Sequence, residues 1–187
     1  AIVSINPVPS AITGTPNLCV GSTTTLSDAV SGGTWSSSAT SVATVGSLTG
    51  VVTGITGGTA TMSYTAGAGC RVTTVITVIA LPATIGGTAS ICAGSSATLT
   101  DATTGGTWSS SDITTVTIGS SNGIITGVAQ GNATITYTIS SGCYRTIVVS
   151  VNPVPGTIGG TLTVCVGAAT TLSNSVSGGT WSSGSTG

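Results

Sequence analysis

Histidine, glutamate, lysine and phenylalanine are absent from this chain, and charged residues make up only 3% of it. An ordinary soluble domain carries roughly a quarter. The whole charged set is Asp28, Asp101, Asp112, Arg71 and Arg145, giving a net charge of −1. Each absence excludes a function class. General acid–base catalysis uses a side chain that titrates near the working pH, and neither His nor Glu is present to supply one. A serine nucleophile needs an adjacent base, and three scattered Asp are a poor source. Calcium sites gather several carboxylates, which these Asp do not. Two Arg cannot hold a nucleic-acid backbone. Without Lys there is no Lys–Asn isopeptide crosslink. No run of eighteen apolar residues occurs, so no membrane-spanning helix is expected in this segment. The chain is therefore expected not to be an enzyme, and no metal or other cofactor is expected.

Thr, Ser, Gly, Ala and Val fill the space, and they recur in register. Cys19, Cys92 and Cys165 are spaced 73 residues apart, as are Trp35, Trp108 and Trp181. Cys70 and Cys143 keep the same interval, as do Tyr64 and Tyr137. A fixed long period marks an array, and a unit of this size can bury a small core of its own. The expected domains are residues 1–8 as the end of a preceding repeat, 9–81 as repeat 1, 82–154 as repeat 2 and 155–187 as the N-terminal part of repeat 3. The chain opens inside a strand-like run and stops in mid-module. It reads as a window of a longer polypeptide whose targeting signals lie elsewhere.

Strand signals dominate. Thr59-Ala60-Thr61-Met62-Ser63-Tyr64 and Ala133-Thr134-Ile135-Thr136-Tyr137 alternate polar and apolar residues. That pattern turns Ala60, Met62 and Tyr64 inward. Thr23–Leu26 reads as another strand with Leu26 inward, and Val75–Val78 and Ile147–Val151 read as closing strands. Gly32-Gly33, Leu48-Thr49-Gly50, Ser121-Asn122-Gly123 and Gly57-Gly58 supply the turns. Asn6-Pro7-Val8-Pro9, Leu81-Pro82 and Asn152-Pro153-Val154-Pro155 punctuate the copies, as stiff linkers or as proline-blunted edge strands. No amphipathic helix is visible. The fold class expected is all-β, a tandem array of small sandwiches with a 73-residue period.

Four runs occur in order in the first copy: Gly33-Thr34-Trp35-Ser36-Ser37-Ser38, Val42-Ala43-Thr44-Val45, Gly50-Val51-Val52-Thr53-Gly54 and Gly58-Thr59-Ala60-Thr61-Met62-Ser63-Tyr64. The second copy has Trp108-Ser109-Ser110-Ser111, Gly123-Ile124-Ile125-Thr126-Gly127 and Gly131-Asn132-Ala133-Thr134-Ile135-Thr136-Tyr137. This ordered set resembles the group 2 bacterial immunoglobulin-like domain. The resemblance implies a small immunoglobulin-like sandwich repeated in bacterial surface and secreted proteins such as adhesins and invasins. The Cys-bearing, Pro-Val-Pro-punctuated version resembles giant extracellular repeat proteins of Bacteroidetes-type bacteria. No catalytic residues come with it, and the cysteines depart from its simplest pattern.

Zinc is poorly served, with no His and few carboxylates near the cysteines. Buried free thiols are the plain alternative, and disulfides suit an extracellular setting. Cys19–Cys70 and Cys92–Cys143 would pair within a copy, each closing a loop of about 52 residues, on the order of 4 kcal/mol by chain entropy. Topology argues against them. Cys19 falls at the sandwich end away from the incoming linker and Cys70 at the near end. Roughly 20 Å separates the ends of a six-residue strand, whereas disulfide Cα atoms lie within about 7 Å. In a head-to-tail array Cys19 would instead meet Cys143 of the next copy, Cys92 would pair beyond this window, and Cys70 would pair with the module before it; Cys165 is a further disulfide candidate. Both schemes stay open at this point.

Trp35, Trp108 and Trp181, with Tyr64, Tyr137, Leu26, Leu99 and Leu172, read as core rather than as sugar-stacking surface. Asp28 and Asp101 align with Asn174, as turn caps would. Asn132-Ala133-Thr134 is a glycosylation sequon. The function expected is a structural segment of an extracellular or cell-surface repeat protein, as a self-associating fibre or an adhesin stalk. Its partners would be copies of itself, packed laterally or head to tail. Glycans or host surface ligands would meet other parts of the chain, and nucleic acid would not be a partner. A carbohydrate-binding module array is the alternative, and it calls for exposed aromatics in a row.

Overall fold

The computed structural model describes residues 8–185, so the N-terminal run expected to end a preceding repeat lies almost wholly outside the described residues. The chain forms two compact units. The first takes the residues up to 83 with 103–105 and 138–145, and the second takes 84–102, 106–137 and 146 onward.

Among the described residues of the first unit seven strands follow in order: β1 (Asn17–Cys19), β2 (Thr23–Thr25), β3 (Thr34–Ser37), β4 (Ala43–Val45), β5 (Val51–Gly54), β6 (Gly58–Thr65) and β7 (Arg71–Ile79). One sheet runs β1-β7-β6-β3 and the other β2-β5-β4. Among the described residues of this unit all strand pairs are antiparallel except one. β1 lies parallel to β7, with Leu18 opposite Val78 and Cys19 opposite Ile79. The architecture is an all-β, immunoglobulin-like sandwich.

Alternation along β6 decides which face is buried. Ala60, Met62 and Tyr64 turn inward, and Thr61 and Ser63 between them are partly exposed. These inward residues join Leu18, Leu26, Trp35, Ala43, Val52, Ile76 and Val78 in one cluster. Each large member contributes roughly 1.5–3 kcal/mol by leaving water. The Trp35 and Tyr64 rings lie 4.8 Å apart at 47°, a tilted aromatic contact across the β3–β6 pair.

Gly50 closes the β4–β5 hairpin at φ +67°, in the left-handed region that side chains resist. A Cβ there would collide with the Leu26 carbonyl and press on the Trp35 indole. The hairpin glycine thus doubles as the floor beneath the core tryptophan.

The second unit holds β8 (Gly86–Gly87), β9 (Ser90–Cys92), β10 (Ser96–Thr100), β11 (Thr107–Ser110), β12 (Val116–Ile118), β13 (Ile124–Gly127), most of β14 (Gly131–Thr138) and β15 (Tyr144–Asn152), then β16 (Gly159–Gly160) and β17 (Leu172–Ser173). Its sheets run β11-β14-β15-β9 and β12-β13-β10-β8. β9 again lies parallel to β15. Trp108 and Tyr137 repeat the ring contact at 4.6 Å and 47°. Ile91, Leu99, Val116, Ile125, Ile135, Val149 and Val151 are buried around them.

The third stretch departs from the core expected for it. Trp181 is 57% exposed and Leu172 39% exposed, although Leu26 and Leu99 are buried. The reason is missing cover. Trp35 and Trp108 each pack against a tyrosine ring, and among the described residues no such ring contact covers Trp181. Among the described residues of this stretch only the β16–β17 pair is formed.

Candidate functional site

The one disulfide among the described residues joins Cys19 to Cys143, 124 residues apart in sequence and 5.7 Å apart at Cα. Both cysteines belong to the first compact unit, because residues 138–145 pack with it. The bond therefore ties the first sequence copy to a loop of the second. The within-copy pairings Cys19–Cys70 and Cys92–Cys143 are not formed, since Cys19 and Cys143 take each other, leaving Cys70 half-buried and Cys92 exposed as free thiols. The cause is strand polarity. Cys19 ends β1 level with Ile79, at the finish of β7, whereas Cys70 immediately precedes the start of that nine-residue strand. The strand's length keeps the two thiols apart.

Each bonded cysteine sits in a defined backbone frame. After Cys19 the chain turns sharply: the Ser22 amide donates to the Cys19 carbonyl at 3.0 Å, the Val20 amide to the Ile79 carbonyl at 3.0 Å, and the Gly21 amide to the Gly54 carbonyl at 2.9 Å. Cys143 closes a tight loop in which its carbonyl accepts from the Ile139 amide at 3.0 Å and the Ile139 carbonyl accepts from the Gly142 amide at 2.9 Å. Its side chain is fully buried. Two residues on, Arg145 Nε donates to the Pro82 carbonyl at 2.7 Å, and the Ala83 amide donates to Thr103 Oγ1 at 2.9 Å. Pro82 is itself fully buried. The Leu81-Pro82 punctuation is thus packed and hydrogen-bonded.

The other residues of interest serve loops. Tyr64 Oη accepts from the Gly33 amide at 2.8 Å and donates to the Val30 carbonyl, fixing the loop before Trp35. In the second unit Tyr137 Oη accepts from the Gly106 amide at 2.9 Å. Asp28 Oδ1 accepts from the Val30 amide at 2.8 Å and the Ser10 amide at 3.3 Å. The aligned Asn174 accepts from the Val176 amide at 3.0 Å and donates through Nδ2 to the Gly156 carbonyl at 2.7 Å. Asn132, in the sequon, is exposed on β14, and Tyr144 is 57% exposed.

Asp112 carries an arrangement not singled out from the sequence. Its Oδ1 accepts from the Thr114 hydroxyl at 2.6 Å and the Thr114 amide at 2.9 Å, and its Oδ2 accepts from the Thr115 hydroxyl at 2.7 Å. The hydroxyl bond from Thr114, then that from Thr115, hold this carboxyl below the usual carboxylate range. The signal was available as Asp-x-Thr-Thr, a motif that binds its own backbone. Among the described residues no three His, Cys, Asp or Glu gather where a metal could sit, and no helix is long and apolar enough to cross a membrane.

No protein-family model and no curated protein matches the sequence, so the group 2 bacterial immunoglobulin-like resemblance stands on the quoted residues alone. Solved structures are similar in fold. Domains 4 and 5 of the S-layer protein SbsC share 22% identity over 79% of this chain and 100% of that one, at TM-score 0.38. A C-terminal 282-residue fragment of intimin, in complex with the intimin-binding domain of the translocated intimin receptor, shares 17% over 80% of this chain and 67% of that one, at TM-score 0.48. Murine CEACAM1b shares 11% over 77% of this chain and 100% of that one, at TM-score 0.31. At such identities and scores these likenesses carry no argument about function.

Proposed function

We propose that this chain is a structural segment of a long extracellular or cell-surface bacterial repeat protein, acting as a self-associating fibre or as the stalk of an adhesin. The observation that carries the reading is the Cys19–Cys143 disulfide, which links one sequence copy to the next. A disulfide of this kind persists in an oxidising compartment, which supports a place outside the cytosol. It spends a covalent bond on holding repeats together, as a spacer or fibre requires. Composition supports the same reading. Net charge of −1 leaves copies little mutual repulsion, and sheet edges built from Thr and Ser carry none of the Lys that natural proteins use to block edge pairing. The carbohydrate-binding reading has less support, because Trp35 and Trp108 are buried against tyrosines rather than displayed.

Electron microscopy of the native material tests the proposal. Filaments with a regular axial repeat support the fibre, and thin single tethers support the stalk. Isolated compact particles in every preparation would overturn both.

A further inference from the structure

Two residues near Pro82 depart from the 73-residue repeat. Arg145 stands where the first copy has Val72, and Thr103 where it has Val30. A valine side chain can make neither of the hydrogen bonds found here. Arg145 Nε donates to the Pro82 carbonyl at 2.7 Å, and Thr103 Oγ1 accepts from the Ala83 amide at 2.9 Å. Pro82 is fully buried, so its carbonyl depends on a protein donor. Both bonds bear on the disulfide. Cys19 lies opposite Ile79, the last residue of β7, and Pro82 follows shortly after Ile79 in the chain. Arg145 likewise follows closely on Cys143. The end of β7 and the Cys143 loop are therefore tied twice, once through sulfur and once through the Arg145 hydrogen bond. Residues 82–83, 103–105 and 138–145 all pack within the first compact unit.

We infer that Arg145 and Thr103 form a latch that holds the Cys143 loop on the first unit while the disulfide is open, so that the cystine is reduced and re-formed without a change of partner. This goes beyond the structural reading proposed above and does not rest on it. The Arg145 bond has a charged donor, which makes it roughly twice as strong as a neutral one, and no sulfur takes part in it. It therefore outlasts reduction. A thiol held opposite its partner closes at a high effective concentration, whereas a thiol on a loose loop does not. Arg145 and Thr103 are thus positioning residues for the bond, and the chemistry stays with Cys19 and Cys143.

Oxidised glutathione is the electron acceptor assigned to closure. Cys19 is half-buried and Cys143 fully buried, so the Cys19 thiolate attacks first, giving a mixed disulfide and one glutathione thiolate. The Cys143 thiolate then displaces the other glutathione from Cys19. Two protein thiols lose two protons and two electrons, one protein disulfide forms, and two molecules of reduced glutathione leave. Excess reduced glutathione runs the same steps backwards.

The test uses the full chain in a Cys70→Ser, Cys92→Ser, Cys165→Ser background, where only Cys19 and Cys143 can react. Its disulfide–dithiol equilibrium is measured in glutathione buffers by acid quenching and mass spectrometry, and the alkylation rate of Cys143 by iodoacetamide is measured in the reduced chain. Thr103→Val with Arg145→Val installs the residues that the first copy carries at both places. The expected result is an equilibrium shifted roughly tenfold toward the dithiol, as losing a hydrogen bond from a charged donor implies, together with faster alkylation of Cys143. Arg145→Lys restores a charged donor and should recover most of the shift, whereas Arg145→Met keeps only an apolar stem and should not. An unchanged equilibrium and alkylation rate in the double variant overturns the inference. Equal losses in the Lys and Met variants overturn it as well, since packing alone would then explain them. A reduced parent chain whose Cys143 reacts as fast as it does in concentrated urea has no latch, and that measurement decides the matter even where a variant fails to fold.

Discussion

Cys19 and Cys143 are 124 positions apart in sequence, yet their Cα atoms lie 5.7 Å apart. By chain entropy, closing so long a loop stabilises the folded state by about 5 kcal/mol at most, and removing such bonds commonly costs about 2–5 kcal/mol. Cys143→Ser should lower the free energy of unfolding by that amount. Urea denaturation with and without reductant measures it, and reductant should move the wild-type midpoint but not the variant's. A wild-type midpoint indifferent to reductant would show that the bond constrains nothing.

Tyr64→Phe keeps the ring against Trp35 and removes only the hydroxyl. The Gly33 amide and Val30 carbonyl then lose their shared partner in a part-buried loop. Stability should fall by about 1–2 kcal/mol. The near-ultraviolet signal of Trp35 should survive, because the tilted contact with the ring at 4.8 Å is retained. An unchanged melting temperature would mean that water replaces the hydroxyl at no cost.

Asp28→Asn should stabilise the first unit. Oδ2 of Asp28 is buried without a hydrogen-bond partner among the described residues. At the aligned position in the third copy, Asn174 uses Nδ2 to reach the Gly156 carbonyl at 2.7 Å. Asparagine at 28 can make the same bond to the Ser10 carbonyl, a gain of about 1 kcal/mol. A lower melting temperature for this variant would refute the account.

Asp112 predicts a pH dependence whose sign follows from its lowered pKa. Since the folded value lies below the unfolded one, the carboxylate's contribution is complete above the ordinary carboxylate range and is lost as pH falls through the lowered folded value. Wild type and Asp112→Ala should therefore differ most near neutral pH and converge in strong acid. Thermal melts across that range check it, and a gap that stays constant with pH would sink the electrostatic explanation.

Much of the sandwich was legible because alternation and glycine placement are local properties. Thr59–Tyr64 announced β6, and Thr23–Leu26 announced β2. Other features depend on partners distant in sequence. β1 has only three residues and no alternation to read, and its strand character comes from lying parallel to β7. The cysteine pairing was ambiguous for the same reason, since spacing allowed two schemes and only the polarity of β7 separates Cys19 from Cys70. Trp181 shows the limit of periodicity. A core residue needs the strand that covers it, and register alone placed this one inside.

The Cys19–Cys143 bond also reroutes force. If the two ends of the chain are pulled, tension passes along β1 to Cys19, crosses the sulfur atoms, and continues from Cys143 into β15. Every residue from 20 to 142 lies off that path. While the bond is intact, the covalent path bypasses the hairpins and both aromatic pairs. Reduction would put that slack in line, so the redox state of a single cystine would decide how far the molecule can stretch.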